Sequence, residues 1–302
     1  MKTIRFMAIR NIAFAITVLL TLIGFGALFA KGLNFGLDFT GGTLIELHYE
    51  QPADLERIKH ELGEAGYTDA VVQSFGATTD VLVRMAGDDP QLGRQVADAL
   101  HRIDPQAGFE LTRVEFVGPQ VGEELRDQGG LAVLLALGGI LLYLAFRFQW
   151  KFGVGAVASL AHDTVIVIGV LAFFQIPFDL TVLAAVLAMV GYSLNDTIII
   201  YDRIRENFRV LRKADIVENI DVSVSQTLLR TIATSLSTAL ALVALLVFGG
   251  DTLANFAITL LVGVVVGTYS SVYIGATVLV WLKLSSEDLI PPAVTETVDD
   301  RP

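Results

Sequence analysis

The sequence contains no cysteine. Neither a disulfide framework nor a thiolate metal site can be built from it, so any large polar region must fold on its own core. Charge is scarce too: Asp, Glu, Lys and Arg make up 18% of the 302 residues, against about 25% in an average soluble domain. The phosphate-loop pattern G-x-x-x-x-G-K-[ST] is missing, no Ser sits in a nucleophile elbow, and no His/Cys/Glu spacing suits a metal ion. These gaps leave nucleotide, hydrolytic and metal chemistry without residues to carry them, and no cofactor or metal is expected. The one basic cluster is explained by membrane topology, so nucleic acid need not be invoked.

What is present in quantity is apolar surface, 53% of residues with a mean hydropathy of +0.62, which points to an integral membrane protein. The net charge of -11 hides an asymmetry: acids outnumber Lys and Arg heavily between residues 31 and 127 and nearly balance them elsewhere. A basic start with Lys2, Arg5 and Arg10 runs into an apolar stretch at 12–30. That stretch exceeds the roughly 7–15 residues of a signal-peptide core, so it reads as a retained signal-anchor helix. Residues 131–146, 152–174, 178–200, 232–248 and 256–282 are each long enough, or nearly so, to cross about 30 Å of hydrocarbon at about 1.5 Å per residue. Arg147 and Lys151 lie in one connector, and Arg203, Arg205, Arg209, Arg212 and Lys213 in another, while 175–179 and 249–251 carry no Lys or Arg. The positive-inside rule then puts both termini in the cytoplasm and residues 31–128 outside.

The polar segment changes period several times. Residues 44–49 read as a strand, 53–65 as a helix carrying Leu55, Ile58 and Leu62 and stopped by Gly66, and 71–75 with 81–85 as a hairpin around Gly76, Thr78, Thr79 and Asp80. Pro90 opens a second helix with Leu92, Val96, Leu100 and Ile103, closed by Pro105 and Gly108, and 109–117 is a last strand. The order β-α-β-β-α-β is the ferredoxin-like plan. The expected fold is an α-helical membrane protein with six transmembrane helices and one extracytoplasmic α+β ferredoxin-like domain between helices 1 and 2. Its divisions are a cytoplasmic N-terminus with the first helix (1–30), the outer domain (31–128), helices 2–6 (129–284) and a disordered cytoplasmic tail (285–302).

The residue that needs explaining is Asp196, set with Asn195 in an apolar run that stays apolar from 198 to 201. An ionised Asp near a helix centre costs about 2.5–3.5 kcal/mol on translocon scales, so a carboxylate there is a candidate for proton or ion handling. The bland alternative makes it the start of the charged loop at Asp202 and Arg203. Arg230, at the front of the fifth span, is the best partner for it and is equally readable as a positive-inside anchor. Asp163 lies about 16 Å along the third span by rise per residue. Its neighbour His162 either relays protons, with an unperturbed pKa of about 6.5, or hydrogen-bonds a neighbouring helix. Thr231, Thr234, Ser235 and Thr238 form a hydroxyl stripe that suits a wet path or interhelical glue, and Gly263, Gly267, Ser271 and Gly275 form a small-residue packing ridge. Gly36, Asp38, Gly41, Gly42 and Gly191 stand out as hinge or motif positions, with Gly129 and Gly130 as a second flanking pair.

Five motifs occur in order: G-L-D-F-T-G-G-T after the first span, V-G-P-Q-V-G-E-E-L before the second, A-H-D in the third, G-Y-S-L-N-D-T-I-I-I-Y-D-R-I-R-E-N, and Q-T-L-L-R-T-I-A-T-S leading into the fifth. Together they resemble the SecD/SecF family of bacterial protein-export proteins, relatives of the resistance-nodulation-division transporters, nearly end to end. The resemblance implies an inner-membrane subunit, not an enzyme, that works with SecD beside the SecYEG channel and uses the proton-motive force to draw preproteins outward. YajC and YidC are further candidate partners. It also implies that Asp196 and Arg230 take part in proton conduction. Two other readings are a scaffold that conducts nothing and, less well supported by a chain with one six-span half, a proton-coupled small-molecule exporter.

Overall fold

A segment crossing hydrocarbon must satisfy its amide groups internally, so the apolar stretches fold as helices. The computed structural model describes residues 3–289 except 76, 88, 90, 104–107, 212, 213 and 286, together with the backbone but not the side chains of residues 75, 103, 119, 251 and 252. The expectations that fall on Lys2, Gly76, Pro90, Pro105, Arg212, Lys213 and the tail from 290 lie outside the described residues. After a 3₁₀ turn at Phe6–Ile9, α1 (Arg10–Lys31) leads to a one-turn helix, α2 (Leu37–Thr40). Then come β1 (Gly42–Tyr49), α3 (Leu55–Glu64), β2 (Val71–Phe75), β3 (Ala77–Met85), α4 (Leu92–Ile103) and β4 (Phe109–Val117). The remainder is α5 (Pro119–Arg147), α6 (Trp150–Phe174), α7 (Leu180–Val210), α8 (Ile216–Phe248) and α9 (Asp251–Ser270). A π turn at Ser271–Gly275 carries α9 into α10 (Ala276–Trp281). Among the described residues six helices are long and apolar enough to cross a membrane.

The four strands form one antiparallel sheet in the order β2-β3-β1-β4, which is what a split βαβ chain produces when both helices pack on one face. Side chains alternate across a strand, so Ile45 and Leu47 point the same way as their partners Val83 and Val81. All four are buried with Ile58 and Leu62 of α3 and Val96 and Leu100 of α4. Asp54 starts α3 by accepting a hydrogen bond from the Arg57 amide at 3.2 Å. The opposite face carries Glu46, Arg84, Arg113 and Glu115 and looks across a cavity of about 250 Å³ at Pro177, Asp179 and Asn255 near the ends of the spans. The sheet therefore sits at one end of the helix bundle with its charged face toward it.

Three helices outrun their apolar cores. α5 begins at Pro119, which supplies the fixed φ favoured in a first turn, so the expected boundary at 128/129 falls inside it. α7 continues past the hydrocarbon stretch to Val210, where charges sit at helical spacing: Arg203 with Glu206 at 2.5 Å and Arg205 with Asp202 at 3.5 Å. α8 absorbs the amphipathic stretch before the fifth span, and the 3₁₀ turn docks there through the Met7 amide, which donates to Asp221 at 2.8 Å. α6, α7 and the last span bury 50% of their most apolar stretches, while α5 and α8 bury 11%, so the first three make the core and the other two flank it.

The last span packs on α7 in a regular register. A Cβ at Gly263 would strike the Met189 side chain, and one at Gly267 would lie 2.8 Å from Ser193 Cβ. Ser271 Oγ is 2.9 Å from Thr197 Oγ1, and a Cβ at Gly275 would lie 2.8 Å from the Tyr201 hydroxyl. Both members advance four residues at each step, so the two helices run parallel with small residues at every crossing.

Candidate functional site in the transmembrane core

Two aspartates sit in this core in opposite states. Asp163 on α6 is fully buried and fully bonded. Its Oδ1 is 3.0 Å from His162 Nδ1, and its Oδ2 accepts from the hydroxyls of Ser193 on α7 at 2.5 Å and Ser270 on α9 at 2.8 Å. Ser159, one turn away on α6, donates to Ser270 at 3.0 Å. One carboxyl group thus joins the three core helices, which is how a charge-capable group is tolerated away from water.

Asp196 is 1% exposed, and neither carboxylate oxygen has a hydrogen-bond partner. It lies sixteen residues into α7, about 24 Å from the sheet end of that helix by rise per residue. Among the described residues Asp196 and Arg230 form no ion pair, and Arg230 is exposed. The cause is helical phase: one residue turns about 100°, so Thr231 and not Arg230 points inward. Thr231 is 2% exposed and its hydroxyl is also without a partner.

The remaining expected positions fall in several places. Asn195 is exposed, and Gly191 faces open space with no atom within 4 Å of an added Cβ. On the hydroxyl stripe, Ser235 bonds Thr268 at 2.8 Å, which is interhelical glue, whereas Thr234 returns to its own helix through the Arg230 carbonyl at 3.0 Å. Gly263, Gly267, Ser271 and Gly275 lie on the ridge against α7. Ser159, Ser193, Ser270 and Tyr201 did not stand out in the sequence. Ser193 precedes Asp196 by about one helical turn, the only local hint, while the Tyr201 hydroxyl is fully buried without a partner in a slot between Gly155 and Gly275. The π turn falls at this level of the last span, a distortion frequent at functional sites.

The glycine-rich segment after α1 is clamped at the sheet end of α7. Gly36 N donates to the Phe178 carbonyl at 2.8 Å, Phe178 N to the Asn34 carbonyl at 2.7 Å, and Leu180 N, the first amide of α7, to Asp38 Oδ2 at 2.9 Å. Gly41 and Gly42 have φ of 65° and 112°. A Cβ at Gly42 would strike the Met85 carbonyl oxygen, and one at Gly122 of α5 would lie 2.8 Å from Gly41 N. Gly129 packs near Phe39 and Leu183, while Gly130 meets nothing within 4 Å.

Residues 95–285 match the family model described as protein export membrane protein SecD/SecF, C-terminal, and residues 26–53 match the SecD/SecF GG motif. The chain belongs to the SecD/SecF family. It is 69% identical over 300 residues to the protein translocase subunit SecF of Pseudomonas aeruginosa, covering 99% of this chain and 98% of that one. It is 40% identical over 294 residues to the SecF subunit of Escherichia coli O157:H7, covering 96% and 91%. The crystal structure of SecDF, a translocon-associated membrane protein from Thermus thermophilus, superimposes with a TM-score of 0.84 at 39% identity over 93% of this chain, and SecDF in a super-membrane-facing form with 0.68. The chain spans 39% of the length of each of those solved chains. Family membership makes it a multi-pass protein-translocation subunit and not an enzyme.

Proposed function

We propose that the chain works with SecD in the bacterial inner membrane and uses the proton-motive force to promote preprotein translocation through the Sec channel, with Asp196 as the group that takes up and releases the proton. In this reading both termini are cytoplasmic and the sheet domain is outside, as the placement of Lys and Arg in the connectors favours. The observation that carries it is the contrast between the two buried carboxyl groups: Asp163 has every bond it needs, and Asp196 has none. A carboxyl group in apolar surroundings favours its neutral form, and an approaching guanidinium favours the anion. Movement between α7 and α8 that brings Arg230 nearer or farther therefore changes whether the proton is held. Each proton that crosses the field releases about 2.3 kcal/mol per 100 mV, enough to bias two conformations more than tenfold.

The test is Asp196→Asn in the complex with SecD. Potential-dependent stimulation of export is lost while the complex still assembles; export at the wild-type rate would dispose of the proton role. The non-conducting scaffold draws support from the exposure of Arg230. Its signature is that Asp196→Asn and Arg230→Ala both export normally while disruption of the Gly263/Gly267 ridge does not.

A further inference from the structure

The motif Gly36–Gly42 reads in sequence as a flexible hinge, but its bonds describe a latch. Asp38 sits in the one-turn helix α2 and satisfies the first free amide of α7, a position where a carboxylate also interacts favourably with the helix dipole. A second tie comes from the sheet: Arg84 of β3 donates to the Phe35 carbonyl at 2.6 Å and to Asn34 Oδ1 at 3.1 Å, while Asn34 donates to the Gln175 carbonyl at 2.9 Å. Burial lowers the proton affinity of Arg84 from its ordinary value, in keeping with a guanidinium used as a structural donor. Phe35, Phe39 and Phe178 close the joint, with ring centroids 5.8–6.1 Å apart. From Asp38 to the start of β1 is four residues, and both glycines in the bend are held, Gly42 against the Met85 carbonyl and Gly41 against Gly122. In the other direction α7 runs unbroken from Leu180 past Asp196. The joint has no slack at either end.

We propose that Asp38 is the positioning residue that couples the membrane core to the sheet domain: its bond to Leu180 N passes any displacement of α7 into β1. The proposal rests on the proton reading of Asp196 for what drives α7, but the two fail separately. It differs from a hinge in direction, since a hinge isolates the sheet from α7 and a latch makes it follow.

The absence of cysteine allows labels to be placed directly. In the complex with SecD, reconstituted in liposomes with and without an imposed proton gradient, spin-label distances are measured for two pairs. Glu110→Cys with Phe174→Cys reports the sheet against the bundle, and Phe146→Cys with Val210→Cys reports α7 against α5 at the opposite end; all four positions are exposed. In the otherwise wild-type chain the gradient shifts both pairs. With Asp38→Ala the α7 pair still shifts and the sheet pair stops responding, and Asp38→Asn, whose amide oxygen still accepts from Leu180 N, restores the response. A sheet pair that shifts by the wild-type amount in Asp38→Ala, or an α7 pair that shifts in the otherwise wild-type chain without the sheet pair, overturns the latch. Persistence of both shifts in Asp196→Asn refutes the proton reading and leaves the latch standing. A wild type in which neither pair responds overturns both.

Discussion

Gly267→Ala is the sharpest probe of how the core is built. The added Cβ would lie 2.8 Å from Ser193 Cβ and 3.1 Å from Ser193 Oγ, where carbon pairs settle at about 3.5–4.0 Å. Because the obstacle sits at the base of a short side chain, it cannot swing aside, and α7 and α9 must part by roughly 0.7 Å or more. One turn along, the Thr197–Ser271 bond is 2.9 Å; the same separation stretches it to about 3.6 Å, beyond hydrogen-bond range. Overpacking costs about 1–3 kcal/mol, and each interhelical hydrogen bond lost in a bilayer adds about 0.6 kcal/mol, for a total of about 2–4 kcal/mol. The measurement is the thermal midpoint of the complex in detergent, which falls by several degrees. Gly191→Ala, on α7 itself, is the control. Its Cβ meets no atom within 4 Å, and Ala is favoured over Gly in a helix by about 0.8–1.0 kcal/mol, so its midpoint is unchanged or higher. A Gly267→Ala protein that melts with the wild type, or a Gly191→Ala protein that melts well below it, would show that the α7–α9 register is not what holds the core.

Gly42→Ala destabilises the sheet domain by about 1–3 kcal/mol or more, since φ of 112° is strained for any L side chain and the Cβ also meets the Met85 carbonyl. Gly32→Ala, with positive φ but open space around it, is hurt less, and limited proteolysis of the domain ranks the two. Tyr49 gives a pH signature. Burial, with the Glu61 charge adding to it, pushes its pKa up to about 12 from 10.0. The unfolded chain then loses that proton first, so this contribution is intact below pH 10 and is lost as pH rises toward about 12. The denaturant midpoint of the domain falls across that window in the wild type and less in Tyr49→Phe; equal falls in both would assign the effect to other groups.

The sequence by itself determined much of what depends on local pattern. The short β-branched or apolar runs at β2 and β3 and the helical spacing of Leu55, Ile58 and Leu62 were legible as local composition and period. The six spans were legible because each must satisfy its own backbone in lipid, and the four-residue repeat from Gly263 to Gly275 marked a close helix contact. Sequence also singled out Asp163 and Asp196 as acids with no ordinary reason to be there, yet the two looked alike. Only the tertiary structure separated them, because the hydroxyls of Ser193 and Ser270 that bond Asp163 come from two other helices, and because the phase of α8 turns Thr231 inward where Arg230 was expected. For Gly36, Asp38, Gly41 and Gly42, hinge or motif positions by sequence, only the tertiary structure shows what packs against them. Glycine lowers the local resistance to bending, but whether a bend is free depends on what lies against it, and here that is Leu180, Met85 and Gly122, far away along the chain.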